Sequence, residues 1–579
     1  MDVVTRTAAL PFAMHALPAI AAGAAPASLA QARHRGAGAG RRGPQPARPP
    51  VRWRVRLLAW ATVLLLGWAL AGNAAAAVSP RWFDGPRPGA AALQAVALLA
   101  DAAAEGLEPR DYAAAPLQQA LAAAAAGAAP DAATIGQLEQ GLSLAFERYL
   151  SDLRRGRVEP RRVRSDYDPP PPFDAAAALQ AALRSGQLAA AVQAAQPRLP
   201  LYRALRTLLA HYRGLVGHPA WREPLPPLPG GAAGKLAPGQ PWAGTGLLAA
   251  RLTALGDLAP DAAVPGAFDG ALVDALRAFQ RRHGLEPDGV IGRATYAQLQ
   301  VAPARRVRQI ELTLERLRWT PLELGPRMIV VNLPEFVLRA YDVRDGQVSV
   351  QREMRVVVGR AFDTRTPVFV EPMRAIEFSP YWNVPPSIAR SETVPKLRRD
   401  PARWARDGYE FVTADGRVVD QLSTQGLDEV LAGRWRIRQR PGPRNALGDI
   451  KFVLPNRDNI YLHHTPSVDL FARPRRDFSH GCVRVEQPVA LATFVLAPMP
   501  EWTEPRIRAA MQRGTPSTVR LAQPLPVLIA YGTALVKQGQ AYFFDDLYGL
   551  DRVLDDALRR RAPLAWTMRA PAEPAKEPR

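Results

Sequence analysis

Cys482 is the only cysteine among 579 residues, and three of the eight histidines, His463, His464 and His480, fall in the 20 residues that end at it. An even scatter would place about 0.3 of a histidine there. A thiol of ordinary acidity is only a few per cent thiolate at neutral pH, so a working one needs an imidazole within hydrogen-bond reach to take its proton. The spacing offers two such bases. His480 lies two residues before Cys482, on the same side of an extended strand without being forced into contact. His463 lies 19 residues upstream, far enough for a strand-loop-strand return to set its ring beside the sulfur. Gly481 lets backbone approach a substrate closely and leaves the neighbouring amides free to donate into an oxyanion hole.

The elements that must position these groups are legible around them. Ile460 to Leu462 reads as a strand ending at His463, followed by a loop that returns to Ser479 and Cys482. Beyond Arg318, short β-branched and aromatic runs at Met328 to Leu333, Phe336 to Tyr341, Met354 to Val358, Thr366 to Val370 and Ala375 to Phe378 predict an antiparallel, β-rich domain over 326–522. The polar, helical stretch 385–435 reads as an insertion that serves as a lid or substrate loop. After the cysteine, Val489 to Leu496 suits a helix. Val527 to Val536 with Ala541 to Phe544 suits a final hairpin, which with a helix fills 523–560, and the Pro- and Ala-rich tail 561–579 should fray.

Upstream, 85–223 is Ala-rich with helical periodicity at Leu93 to Ala104, Leu117 to Ala125 and Ile135 to Leu153, broken by Pro169 to Pro172. A Pro/Gly-rich linker is expected at 224–240. A compact helical module follows at 245–302, with Val273, Leu276 and Phe279 on one helix face. Residues 1–50 have the composition of a disordered segment. At 51–77, Arg52, Arg54 and Arg56 precede the apolar run Leu57 to Ala71 and the small residues Ala74 to Ala77. That order is a secretory signal or, uncleaved, a helix anchored in the inner membrane, and either way the remainder is exported to the periplasm.

The formal charge of +21 comes almost wholly from arginine scattered along the chain, with lysine only at Lys235, Lys396, Lys451, Lys537 and Lys576. No basic-aromatic stripe accompanies it, so no nucleic-acid partner is expected. One cysteine excludes an internal disulfide and a four-thiolate zinc site. No phosphate-cradling loop, dinucleotide fingerprint or metal-ligand cluster is evident, and no cofactor is expected.

The segment "HHTP…FSHGCVRV" resembles the His…Ser-His-Gly-Cys-x-Arg signature of the YkuD-type L,D-transpeptidases. "SPYWNVPPSIARSETVPKLRRDP", "RQRPGPRNALGDIKFVLPN" and "AFERYLSDLRRGRVEP" resemble segments of the large periplasmic subgroup, and "LRAFQRRHGLEPDGVIGRATYAQL" resembles its peptidoglycan-binding module. The resemblance implies a multidomain α+β chain: a helical scaffold, a three-helix peptidoglycan-binding module, and a β-rich catalytic domain with a capping insertion.

It further implies that Cys482 attacks a donor stem peptide before its terminal D-Ala, with His463 as base and then acid, and that a second stem's diamino acid amine takes the acyl group in a 3-3 cross-link. Tyr461 and the Gly481 and Cys482 amides would hold the oxyanion, Ser479 and His480 would complete the loop, and Arg484 would order that loop or meet a carboxylate. Trp382 and Asn383 would line the donor cleft. His464 stands where the family often has Asp or Gly, so it could perturb or duplicate the base. Val485 and Glu486 stand past Arg484, where many members carry Asn. An L,D-carboxypeptidase that gives the same thioester to water, or a non-catalytic peptidoglycan-binding protein, are the alternatives.

Overall fold

The computed structural model describes residues 82–568 apart from 232–233, 263–265, 322–324 and 346. The expectations for 1–50, 51–77 and the last residues of the tail lie outside that range. Among the described residues no helix is long and apolar enough to cross a membrane.

The periodic segments upstream form the helices Ala90–Ala100, Ala114–Ala126 and Ala132–Arg155. The last is capped by Asp131, whose carboxylate accepts from the Thr134 amide at 2.7 Å. Their apolar faces meet in a core that includes Leu142, Phe146, Tyr149 and Leu150. The tail does not fray from 561 as expected. Arg561 reaches the buried Asp152 with both nitrogens (2.5 and 2.8 Å), the Leu564 amide donates to the Asp111 carbonyl, and Trp566 covers Gly141. A methyl group at Gly141 would stand 2.3 Å from the Trp566 indole nitrogen, so the missing side chain there is what admits the ring.

Residues 224–240 are not a free linker either. Leu225, Leu228 and Leu236 are buried in the core of the three-helix module, and Leu236 exchanges two backbone hydrogen bonds with Ile291. That module comprises Thr245–Ala254, Ala271–Arg282 and Arg293–Leu299, with Val273, Leu276 and Phe279 facing inward as their spacing predicts. It is followed by the helix Pro303–Trp319, which the sequence division left unassigned. This helix packs on Pro200–Gly214 and buries Glu315 between Arg157 and Arg318.

The β-rich part is mixed rather than antiparallel. Arg327–Asn332, Val337–Arg344 and Gln347–Gly359 form an antiparallel meander, but Ser517–Ala530 lies parallel to Arg327–Asn332 and Leu462–His463 lies parallel to Val483–Val485. Both parallel pairs join segments linked by long connections, which hairpins cannot supply. Ile450–Val453 pairs with Leu462–His463 on one side and with Val368–Phe378 on the other, so the path of strands closes on itself.

The expected boundary at 522 and the expected first hairpin arm from Val527 both fall inside the Ser517–Ala530 strand, and the hairpin proper is Ala534–Lys537 with Gln540–Phe543. Val527, Leu528 and Ile529 are each fully buried, the mark of a central strand covered on both faces. One more strand comes from the helical region: Ser165–Asp166 pairs with Val368 and Phe369, and the adjacent Tyr167 donates its hydroxyl to the Ile529 carbonyl at 2.9 Å.

The 385–435 insertion is not only helical. Trp382–Asn383, Tyr409–Val412, Val418–Val419 and Arg436–Gln439 make a four-stranded sheet over a separate core that includes Leu397, Trp404 and Phe411. Its first and last strands are the two stalks that tie it to the main sheet.

Candidate active site

The parallel pairing of Leu462–His463 with Val483–Val485 decides which residues meet. Leu462 is opposite Val483 and His463 opposite Arg484. Leu462, Val483 and Val485 point into the core. Alternation then sends Tyr461, His463, Cys482 and Arg484 to the other face, where all four line one cleft of about 620 Å³ beneath the insertion. Lys451 is paired with His463 on the next strand and lines the same cleft.

The Cys482 thiol faces the Asn459 carbonyl at 3.7 Å and makes no hydrogen bond to an imidazole among the described residues. Asn459 holds φ = 53°, a left-handed conformation that Asn tolerates better than most residues. Burial pushes the thiol above its ordinary value; hydrogen bonds from Tyr461 and the charges of Lys451 and Arg484 pull the other way. Cys482 stands two residues before Arg484, the register partner of His463, so the two side chains leave the same face of neighbouring strands. His463 is 4% exposed, and its Nδ1 stands 2.5 Å from the His464 carbonyl. A carbonyl only accepts, so Nδ1 carries the hydrogen and Nε2 the lone pair. Burial, then Arg484, pushes this imidazole down to about 3, leaving a neutral ring at physiological pH.

Of the two candidate bases, His480 is engaged elsewhere. Its Nε2 lies 2.5 Å from Glu392, which sits on a single π-helical turn of the insertion, and Glu392 also takes Lys396 at 2.7 Å. His464 does not duplicate the base: it pairs with Asp449 at 2.6 Å and packs over Gly448, outside the cleft lining.

Ser479 is the clasp of the loop. Its hydroxyl donates to the Cys482 carbonyl at 2.5 Å and accepts from the Gly481 amide at 3.2 Å. The Gly481 amide is therefore taken by Ser479, whereas the Cys482 amide has no partner among the described residues. Gly481 itself is fixed by φ = 115° and by the Thr366 hydroxyl donating to its carbonyl at 2.7 Å. Trp382 and Asn383 line the cleft from the insertion side.

The sequence reading missed Lys451, Asn459 and Glu392. For Lys451 a signal existed: Ile450 and Phe452 are buried on one face of an apolar strand, so the lone lysine between them must point to the other. Its ammonium lies over the Tyr461 ring, 4.7 Å from the centroid, and pairs with Glu377 at 3.1 Å. Arg484 carries a buried Nε without a hydrogen-bond partner among the described residues.

Residues 326–520 match the family model of the L,D-transpeptidase catalytic domain, YkuD. Over that stretch the chain is similar to the YkuD family of L,D-transpeptidase catalytic domains. Residues 244–299 match the peptidoglycan binding domain and residues 74–209 the scaffold domain. A Haemophilus influenzae protein with a provisional L,D-transpeptidase name is 34% identical over 229 residues, which is 39% of this chain and 45% of that one. The chain thus matches less than half the length of that relative. Among solved structures, the L,D-transpeptidase (Yku) from Stackebrandtia nassauensis is 14% identical, covering 51% of this chain and 94% of that one at a TM-score of 0.22. The L,D-transpeptidase from Xylanimonas cellulosilytica is 16% identical, covering 53% and 100% at 0.17.

Proposed function

We propose that this protein joins peptidoglycan stem peptides in the cell envelope by 3-3 cross-links, through a thioester on Cys482. The observation that carries the reading is the convergence of Tyr461, His463, Cys482 and Arg484 on one face of two parallel strands, at the floor of a cleft large enough for a peptide.

Nε2 of His463 takes the thiol proton as Sγ attacks the carbonyl that precedes the terminal D-Ala of a donor tetrapeptide. The tetrahedral oxyanion is held by the Cys482 amide and the Tyr461 hydroxyl, with Lys451 and Arg484 supplying positive charge. The imidazolium returns the proton to the departing D-Ala amine. The side-chain amine of a second stem then attacks the thioester, so that a C–N bond forms as the C–S bond breaks. The module at 245–302 would hold the enzyme to the wall polymer, and the capping insertion would close over the donor.

Mass spectrometry of disaccharide-tetrapeptide after incubation with the purified protein, Cys482→Ala and His463→Ala tests this. A 3-3 dimer made by the parent protein and by neither variant is expected. Tripeptide without dimer would reassign the thioester to hydrolysis, and no turnover would leave wall binding alone.

A further inference from the structure

A second cavity, of about 800 Å³, lies where the Ser165–Asp166 strand runs beside the start of Val368–Phe378. It shares one lining residue, Asp458, with the catalytic cleft. Asp458 precedes Asn459, whose carbonyl faces the Cys482 sulfur, so the two spaces flank a single exposed loop. Asn456 fixes that loop. Its side-chain oxygen accepts from the Asp458 and Ile460 amides at 3.1 and 2.9 Å, and its nitrogen donates to the Leu454 and Ile460 carbonyls at 2.7 and 2.6 Å.

The walls of this groove mix both signs of charge. Arg457 pairs with Asp166 at 2.8 Å and Arg161 with Asp168 at 3.2 Å. Two side chains are left over: Arg164, whose guanidinium makes no hydrogen bond or ion pair among the described residues, and Glu371, which closes no ion pair among them, with Arg374 attracting it and Asp166 and Asp168 repelling it. A polyanion would meet the acidic wall, and a neutral glycan would use neither spare charge. A stem peptide offers a carboxylate to Arg164 and backbone N–H donors to Glu371, which leaves its side-chain amine free to act.

We propose that this groove seats the acceptor stem peptide, whose side-chain amine reaches Cys482 over Asp458 from the helical-domain side while the donor lies under the cap. The proposal rests on the transpeptidase reading above. Two substrates then approach one sulfur from opposite sides of the 456–459 loop, and the acceptor need not pass the cap after acylation. In the transfer step the amine nitrogen bonds to the acyl carbon, the carbon–sulfur bond breaks, and the proton lost by nitrogen passes by way of His463 to the sulfur.

The test uses the full chain, Arg164→Asn, Glu371→Gln and the double variant. Asn is chosen because position 164 has φ = 62°. Disaccharide-tetrapeptide is the donor and isotope-labelled disaccharide-tripeptide the acceptor. D-Ala release from donor alone, which reads acylation, should stay within about twofold in every variant, while the ratio of labelled dimer to hydrolysed tripeptide falls about fivefold or more in the double variant and recovers at high acceptor concentration. An unchanged ratio, or a parallel loss of D-Ala release and dimer, would overturn the proposal, as would competition by peptide-free disaccharide, which would make the groove a glycan site. If the parent protein releases D-Ala and forms no dimer, it is the transpeptidase reading that falls.

Discussion

Alkylation of Cys482 as a function of pH separates two descriptions of the resting enzyme. In one the thiol has already passed its proton to a histidine and waits as a thiolate beside an imidazolium; in the other both groups are neutral. The structure supports the second, because burial pushes the thiol above its ordinary value and pushes His463 down to about 3. A thiol held above the ordinary cysteine value of about 8.5 is a few per cent ionised at most at neutral pH, so it reacts at least ~30-fold more slowly than an ionised one. Its rate then climbs about tenfold for each unit of pH across the neutral range. Iodoacetamide labelling followed by intact mass reads this directly, since no other cysteine exists to confuse it. The expected result is a tenfold rise per unit from pH 6 to 8 in the parent protein and the same slope in His463→Gln. A flat profile in that window that becomes steep in His463→Gln would reveal a preformed ion pair and refute the neutral resting site.

Lys451→Met removes a cation that favours the thiolate, so alkylation at pH 7 should slow by about three- to tenfold while Lys451→Arg keeps most of the rate. His463 contributes to acid sensitivity with a definite sign: the unfolded chain binds its proton below 6.5 and the folded chain refuses it until about 3. Stability is therefore lost as pH falls through that window, by about 2 kcal/mol at pH 5, and His463→Gln should shrink the difference between urea unfolding at pH 7.5 and pH 5.0 by that amount. Glu392→Gln weakens the hold of the insertion on His480, and steady-state kinetics should show a higher KM for the donor with kcat changed less. Ser479→Ala unclasps the Cys482 carbonyl and the Gly481 amide, and the rate of D-Ala release should fall about tenfold with little change in melting temperature.

The strand that bears His463 and its place beside Cys482 were readable because their evidence is local: one thiol, a cluster of imidazoles, and a short motif. The helical faces of the upstream region were readable for the same reason, since period 3.6 needs no partner to be visible. What escaped depends on distant pairing. The parallel strands are set by the contact of Val527 to Ala530 with Ile329 to Asn332, almost two hundred residues away, and no local pattern distinguishes that from a hairpin arm. The role of His480 was fixed by Glu392, 88 residues before it, and the Gly481 amide was lost to a serine whose side-chain direction the sequence does not print. Pro-rich composition suggested a linker at 224–240 and a frayed tail from 561, whereas a few leucines dock the former and Leu564 and Trp566 dock the tail's described residues.

The two-residue strand Ser165–Asp166 has a practical consequence. It occupies the part of the Val368–Phe378 edge that Ile450–Val453 leaves uncovered, and Val163 and Tyr167 on either side of it bury into the same core. A fragment cut at the limits of the matched catalytic family, 326–520, would lose this cover together with Leu525 to Ala530 from the adjacent strand. It would present raw backbone donors and acceptors and a patch of unshielded Val, Phe and Ile to any second copy, so insolubility of such a fragment would report its missing edge rather than any defect in the enzyme.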